Sequence, residues 1–245
     1  MRTIVESNGL TITDNGNIKI RLMDITLTDG IISYGELRID NVDGSLSGKL
    51  TAKSAIKVST GIVAKPIDTP PVFFDGFIDY VEEGGLIIVQ ILGKGQGLKE
   101  KRLKRSLHAV DASKAFSEIL RNTGLSYVLG AVPKLDLHSW VMPDATLAEH
   151  LQRAAITLFP GAVVFVDRNG KLKVDLPAKL QNETGIVFEI DEFKRLENGT
   201  LDTIIDAEIN PYNILTVAGV KYIVTNHRIL SDVYKNRSLI SLDTI

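Results

Sequence analysis

Cysteine is absent from this sequence. Its absence excludes disulfide bonds, thiolate metal sites and thiol nucleophiles. A chain without disulfides fits a protein that folds in a reducing compartment such as a cytoplasm.

Long apolar runs are missing as well. The most apolar segment, LIIVQIL at 86–92, is short and includes Gln90. A membrane-spanning helix needs about 20 apolar residues, and the first residues, MRTIVESNGLTITDNG, contain no apolar core of signal-peptide length. We therefore expect a soluble protein without a membrane anchor.

A strong excess of one charge is also lacking. The 245 residues carry a formal net charge of −2, and 44% of them are hydrophobic. This balance argues against a whole-molecule attraction to DNA or to an anionic membrane, and leaves only local patches to consider. The length and the apolar fraction suffice for one large domain or two smaller ones.

Residues 1–98 show the pattern of antiparallel β structure. In GLTITDNGNIKIRLMDITLTDG apolar and polar residues alternate, and a turn signal at 14–17 interrupts them. A second hairpin is predicted around Glu82-Glu83-Gly84-Gly85. Short strands at this spacing favour a small antiparallel barrel or sandwich.

The hydrophobic period changes between residues 99 and 185. In DASKAFSEILRNTGL the apolar residues recur at helical spacing, with Asp111 or Ser113 as the N-cap and Gly124 at the end. PDATLAEHLQRAAITLF predicts a second helix, capped by Asp144 or Thr146. The segment AVVFVDRNGKLKVDL then predicts a hairpin, because Asn-Gly supplies the positive φ of a tight turn.

The last part of the chain, 186–245, returns to β patterning in segments such as NILTVAG, KYIVTNHRILSD and RSLISLDTI. No linker separates the parts, and no internal repeat is present. The sequence therefore predicts a mainly β fold with an α/β insert. Two small antiparallel barrel-like (tube-like) β domains, at 1–98 and 186–245, would flank a two-helix α/β subdomain at 99–185.

The segment GKGQG at 93–97 raises the question of a phosphate-binding loop. The Walker pattern requires Gly-x-x-x-x-Gly-Lys-Ser/Thr, and the dinucleotide fingerprint requires Gly-x-Gly-x-x-Gly in a βαβ unit. GKGQG fits neither pattern. We interpret its glycines as a joint where the chain leaves a strand and turns into the insert, because glycine adopts positive φ without steric cost.

A cluster of cationic residues follows this joint: Lys99, Lys101, Arg102, Lys104 and Arg105. Such a cluster can bind phosphate groups, but no interleaved aromatic residues offer stacking platforms for bases. We interpret it as a solvated face or a salt-bridging rim at a subunit contact. Direct nucleic-acid binding is the alternative.

The sequence contains no recognisable active-site pattern. The four histidines lack metal-ligand spacing, the carboxylates form no distinctive acid/base pair, and a Gly-x-Ser-x-Gly elbow is absent. The turn DRNG at 167–170 resembles the start of a calcium loop but lacks its later ligands. We therefore predict no enzyme activity, no catalytic residue, no cofactor and no metal.

The order of elements resembles that of a known family. FDGFIDY at 74–80 is similar to the strand that closes the first barrel of phage tail hub proteins, and LIIVQILGKGQGL resembles the strand after it. DASKAFSEILRNTGLSY resembles the family's first helix, and residues 139–177 resemble its next strand, helix and hairpin. KYIVTNHRILSDVYKNRSLISL resembles the C-terminal strand pair, in which a histidine commonly precedes a polar turn; here that residue is His227.

By these segments the chain resembles the baseplate hub proteins of contractile-tailed phages, of the late control protein D type, which are related to the hub part of VgrG in type VI secretion. The resemblance implies a homotrimer. Each subunit would contribute two barrels, so that the ring matches a six-fold tail tube on one side and a three-fold spike on the other. It also implies a location in the tail baseplate of the virion, after assembly in the host cytoplasm.

The resemblance further implies four partners: a tail tube or distal tail protein, a spike or puncturing protein, baseplate wedge proteins and the tape-measure protein. DNA would pass through the bore without specific binding. We expect Asp75 and the cationic cluster at an interface or facing the DNA. Two other hypotheses are a nucleic-acid-binding barrel protein that uses the cluster at 99–105, and a tail-associated peptidoglycan hydrolase, which the missing acid pair and nucleophile disfavour.

Overall fold

The computed structural model describes residues 2–13, 18–62, 68–189, 194–195, 199–203, 208–232 and 235–244. The strands described up to residue 93 are β1 (Arg2–Ser7), β2 (Leu10–Thr13), β3 (Ile20–Leu27), β4 (Tyr34–Asp40), β5 (Ala55–Gly61), β6 (Val72–Glu82) and β7 (Leu86–Gly93). The hairpin predicted at 82–85 is confirmed, since β6 and β7 pair as antiparallel neighbours around it. The turn predicted at 14–17 lies outside the described residues.

The insert follows. Its helical elements are a 3-10 turn (Lys94–Gln96), α1 (Gly97–Glu100), α2 (Ala112–Thr123), α3 (Leu147–Leu158) and α4 (Pro177–Leu180). Its strands are β8 (Arg102–Asp111), β9 (Tyr127–Leu129), β10 (Asp136–Thr146), β11 (Val163–Val166) and β12 (Leu172–Asp175). β8 and β10 form a two-stranded ribbon, and β11, β12 and β9 form a small sheet.

Both predicted long helices are confirmed, together with their caps. The Asp111 carboxylate accepts the Lys114 backbone N–H at 2.7 Å and so caps α2, and Gly124 ends that helix in the left-handed region at φ 73°. Thr146 caps α3 in a reciprocal capping box with Glu149. Of the paired cap candidates, Asp111 and Thr146 are therefore the ones used.

The final strands are β13 (Asn182–Phe188), β14 (Lys194–Arg195), β15 (Thr200–Thr203), β16 (Asn213–Val217), β17 (Val220–Asp232) and β18 (Asn236–Thr244). With them the predicted mainly β fold with an α/β insert is confirmed. No helix in the described ranges is long and apolar enough to cross a membrane.

A single large sheet joins the first and last parts of the chain. Its strand order is β14-β15-β18-β17-β3-β4-β7-β6-β5-β1-β2, with β16 paired to β17 and β13 paired to β16. The 13-residue strand β17 makes this possible, because it pairs with β16 near its start and with β3 near its end. Among the described strands the path is therefore open and continuous, and does not close into two separate barrels.

Three hydrophobic clusters lie along the chain. The first contains buried residues of β1 to β7 together with Ile229 of β17. The second fills the insert and includes Ile31 from the β3–β4 connection, and the third lies among β13 and β15 to β18. Because Ile229 and Ile31 each pack with a cluster outside their own part of the chain, the parts are in contact. The domain boundaries at 98 and 185 stay a prediction.

Candidate functional site

The solvent-facing side of the shared sheet carries an open groove of about 650 Å³. We call it the sheet groove. It is lined by Asp24, Thr26, Thr28, Tyr34, Gly35, Glu36, Gln90, Thr200, Asn226, Arg228, Leu239 and Ser241. The groove spans the place where the C-terminal strands β17 and β18 join β3 and β4.

Strand alternation explains why polar side chains such as Asp24 and Thr26 line this groove. Met23, Ile25 and Leu27 of β3 are buried in the first hydrophobic cluster. Successive side chains of a strand point to opposite faces, so Asp24 and Thr26 lie on the other side of the sheet. The same alternation in β4, β7, β15, β17 and β18 builds one surface from six strands.

The charges in the sheet groove are compensated by neighbours. Arg228 donates to both carboxylate oxygens of Asp24, at 2.7 and 2.6 Å, and this hydrogen bonding raises the pKa of the Arg228 guanidinium. Glu36 accepts from Arg38 at 2.7 Å and from Gln90 at 2.5 Å. The groove therefore presents hydrogen-bonding groups with little net charge.

The carboxylates of the sheet groove are held in contacts with other side chains. Its two carboxylates, Asp24 and Glu36, are engaged by cations or an amide, and no histidine lines the groove among the residues described. Across the described chain, no group of three or more histidine and carboxylate side chains could hold a metal ion.

His227 lies beneath this surface, where the two β parts meet. It is fully buried and contacts the Phe73 ring edge-on at a centroid distance of 5.1 Å. Its Nδ1 donates to the Ile209 carbonyl at 3.1 Å, and its Nε2 accepts from the Ser238 hydroxyl at 2.7 Å. Burial lowers the pKa of His227 to about 4, an effect that the Ile209 hydrogen bond partly opposes. His227 is thus a neutral structural histidine.

The glycine segment 93–97 is a joint, as its spacing predicts. β7 ends at Gly93, and the 3-10 turn and α1 follow directly. Gly95 lies so close to the Ile31 backbone that a Cβ there would be 1.7 Å from the carbonyl oxygen. Lys94 forms an ion pair with Asp75 at 2.5 Å, which ties the joint to β6. The Asp75 carboxylate therefore has an intramolecular role.

The cationic cluster is dispersed over α1 and β8. Arg102 binds the Asp144 carboxylate at 2.9 Å and its carbonyl at 2.7 Å. Arg105 pairs with Glu118, and Lys101 donates to the Thr123 carbonyl at the end of α2, at 2.9 Å. Three of the five predicted residues are thus engaged within the chain.

Lys99 and Lys104 are the remaining members of the cluster. Both are exposed, and neither has an ion-pair partner among the residues described. On β8, Lys104 and Arg105 point to opposite faces of the ribbon. The structure does not bring the five cations together on one surface.

The turn at 167–170 joins β11 to β12, as predicted. The Asp167 carboxylate accepts the backbone N–H groups of Asn169 and Lys171, each at 3.0 Å, and Gly170 has a φ of 70°. These contacts are those of a tight turn.

The sequence alone does not predict the sheet groove. The alternation around Asp24 and Thr26 indicates a solvent face on β3. It does not indicate that β17 pairs with β3, which places Arg228 beside Asp24 across 204 positions of sequence.

Comparison with known proteins finds similar folds among solved structures. No protein-family model and no curated protein matches the chain. Among solved structures, the 43 kDa tail protein of prophage MuSo2 from Shewanella oneidensis is similar, with a TM-score of 0.75 and 10% identity over 99% of this chain and 97% of that chain.

Two further structures are similar to this chain. The E. coli c3393 protein is a component of the type VI secretion system with structural similarity to the T4 tail proteins gp27 and gp5; it has a TM-score of 0.65 and 6% identity over 98% of this chain and 76% of that one. The prophage tail protein gp18 from Listeria monocytogenes EGD-e has a TM-score of 0.62 and 9% identity, over 100% of this chain and 95% of that chain. The fold of this chain is therefore one that occurs in phage tails and type VI secretion.

Proposed function

We propose that this protein is a structural baseplate hub of a phage tail or of a related contractile injection machine. The observation that carries the proposal is the similarity to a prophage tail protein over nearly the whole of both chains. A fold alone does not define a function. The sheet groove carries polar side chains whose charges are paired, which agrees with a surface that contacts partner proteins and lets DNA pass.

In this proposal three copies form a ring that adapts a six-fold tail tube to a three-fold spike. The sheet groove lines the bore. Because Asp24 and Glu36 are each paired with arginine, a passing polyanion or polypeptide meets a surface that neither holds nor strongly repels it. DNA then crosses the ring without specific binding.

The partners proposed are the tail tube or a distal tail protein, a spike or puncturing protein, baseplate wedge proteins and the tape-measure protein. The protein then acts in the tail baseplate of the virion. The chain is proposed to divide into a first tube-like unit at 1–98, an insert at 99–185 and the strands of a second tube-like unit at 186–245. We propose no catalytic role.

Light scattering of the purified protein tests the trimer. We expect about three times the chain mass of 26.8 kDa, either alone or after mixing with the tube or spike protein encoded beside it. A protein that stays monomeric in every such mixture would contradict the hub proposal. Neighbouring genes for a tube, a tape measure and a spike would support it.

The alternative function, nucleic-acid binding through the cluster at 99–105, makes a different prediction. Removing the charge at Lys101, Arg102, Lys104 and Arg105 together would then abolish retention on DNA. We favour this alternative less, because three members of the cluster make intramolecular contacts. Salt-sensitive, submicromolar binding of DNA by the unmodified protein would reverse that preference.

A further inference from the structure

A second open groove, of about 670 Å³, lies on the insert between α2, β8 and the segment 132–136. We call it the insert groove. Its floor is apolar: Leu107, Val110 and Val132 are partly buried there against the insert core, and Pro133 adds to it. This groove is separate from the sheet groove, and the proposed hub function does not use it.

Three exposed cationic side chains line the groove beside this apolar floor. Lys114 and Arg121 belong to α2, and Lys134 belongs to the segment 132–136. All three are exposed, and none has an ion-pair partner among the described residues. Lys114 and Arg121 are two helical turns apart on one face of α2, about 10 Å along its axis.

The acidic residues of the insert groove do not cancel these charges. Glu118 is paired with Arg105, and Asp111 is engaged at the N-cap of α2. Asp136 is the remaining carboxylate in the lining. The lining therefore holds four cations, including Arg105, and three carboxylates, so that the groove has a formal excess of one positive charge although the whole chain has a net charge of −2.

The same lining argues against nucleic acid as the occupant. None of the described side chains in the groove is aromatic, so bases would find no stacking surface. An apolar floor between cations fits a peptide that presents apolar side chains on one side and carboxylates on the other.

We propose that the insert groove binds an extended acidic segment of a partner protein. Apolar side chains of that segment lie on Leu107, Val110 and Val132, and its carboxylates pair with Lys114, Arg121 and Lys134. The spacing of the cations on α2 corresponds to about three residues of extended chain, so a short segment spans the groove. The inference does not depend on the hub assignment, because it uses none of the sheet residues.

A labelled peptide of alternating leucine and aspartate tests the proposal by fluorescence anisotropy with the intact protein. We expect saturable binding that weakens as salt is added. A peptide of alternating leucine and lysine should not bind, and a peptide of alternating serine and aspartate should bind more weakly. No saturation with the leucine–aspartate peptide up to about 1 mM would overturn the proposal.

Charge reversal locates the site. The triple variant Lys114→Glu, Arg121→Glu and Lys134→Glu should weaken peptide binding by roughly tenfold or more, since like charges then face each other. Lys104→Glu is the matched control: an exposed lysine of the same insert, on β8 but outside the groove. It should leave binding unchanged. Circular dichroism of each variant confirms that it is folded.

Three further results would overturn the inference. The first is an equal loss of binding in the Lys104→Glu control and in the triple variant. The second is competition by a single-stranded DNA oligonucleotide as effective as that by unlabelled peptide. The third is self-association of the protein that disappears in the triple variant, because the occupant would then be a second copy of this chain.

Discussion

His227 lies at the junction of the two β parts and contacts both of them. It contacts Phe73 from the first part. Its two ring nitrogens form hydrogen bonds with Ile209 and Ser238 from the last part. A charged imidazole cannot keep the acceptor role of Nε2, and burial disfavours the charge itself.

Stability should therefore fall in mild acid. The pKa of His227 is about 4 in the folded protein, against about 6.5 for a free histidine, so the unfolded chain binds a proton that the folded chain excludes. Above pH 6.5 the neutral His227 contributes about 3 kcal/mol to the free energy of unfolding. This contribution is lost as the pH falls toward 4.

Urea unfolding at a series of pH values measures this loss. His227→Gln should flatten the dependence between pH 6.5 and 4, whereas the exposed His138→Gln control should retain it. An unchanged slope in the His227 variant would show that this imidazole is not the group that titrates.

The glycine joint allows a matched pair of substitutions. Gly95→Ala would place a methyl group against the Ile31 carbonyl, and we expect a loss of roughly 2–4 kcal/mol in unfolding free energy. Gly97→Ala should be nearly neutral, because no atom lies within 4 Å of its Cβ position and its φ is −57°. Equal effects of the two changes on denaturation would argue against the close approach at Gly95.

At the level of elements, the N-cap of α3 allows a second matched pair of substitutions. Thr146→Ala removes the hydroxyl that accepts the Glu149 N–H and should cost about 1 kcal/mol in unfolding free energy. Asp144→Ala removes only an exposed ion pair with Arg102 and should change stability little. If thermal unfolding shows the larger loss for Asp144→Ala, the cap is assigned wrongly.

The helices could be predicted because their signals are local. Caps and apolar spacing for α2 and α3 lie within a dozen residues. The resemblance implies a strand at the start of 139–177, where β10 lies, but β8 is not predicted, since charged and small residues obscure the alternation of RLKRSLHAVD. The pairing of β8 with β10 is not predicted either, because β10 comes after α2. Pairing between distant strands leaves no local trace.

The sheet groove could not be predicted for the same reason, because it depends on pairing between strands that are distant in sequence. Its residues come from β3, β4, β7, β15, β17 and β18, so it exists only once β17 has paired with β3. For the cationic cluster the sequence suggests more than the structure contains. Its members are close in sequence, but strand alternation and three intramolecular contacts separate them in space.

At the scale of the whole molecule, the shared sheet should make the two β parts unfold together. β17 pairs with β3 over six residues, and Tyr212 donates to the Asp29 carbonyl at 3.2 Å. Native-state hydrogen exchange should therefore give the amides of β3 and β17 the same opening free energy. Earlier exchange throughout β16 to β18 would show that the last part opens on its own.

The proposed hub is a ring of three copies with the sheet groove facing its bore. Cryo-electron microscopy of the tail particle that contains this chain tests it most directly. We predict three copies around the tail axis, with Tyr34, Glu36 and Arg228 turned toward an open central channel. A map in which the chain is absent from the particle, or in which the sheet groove faces the outside of the ring, would contradict the claim.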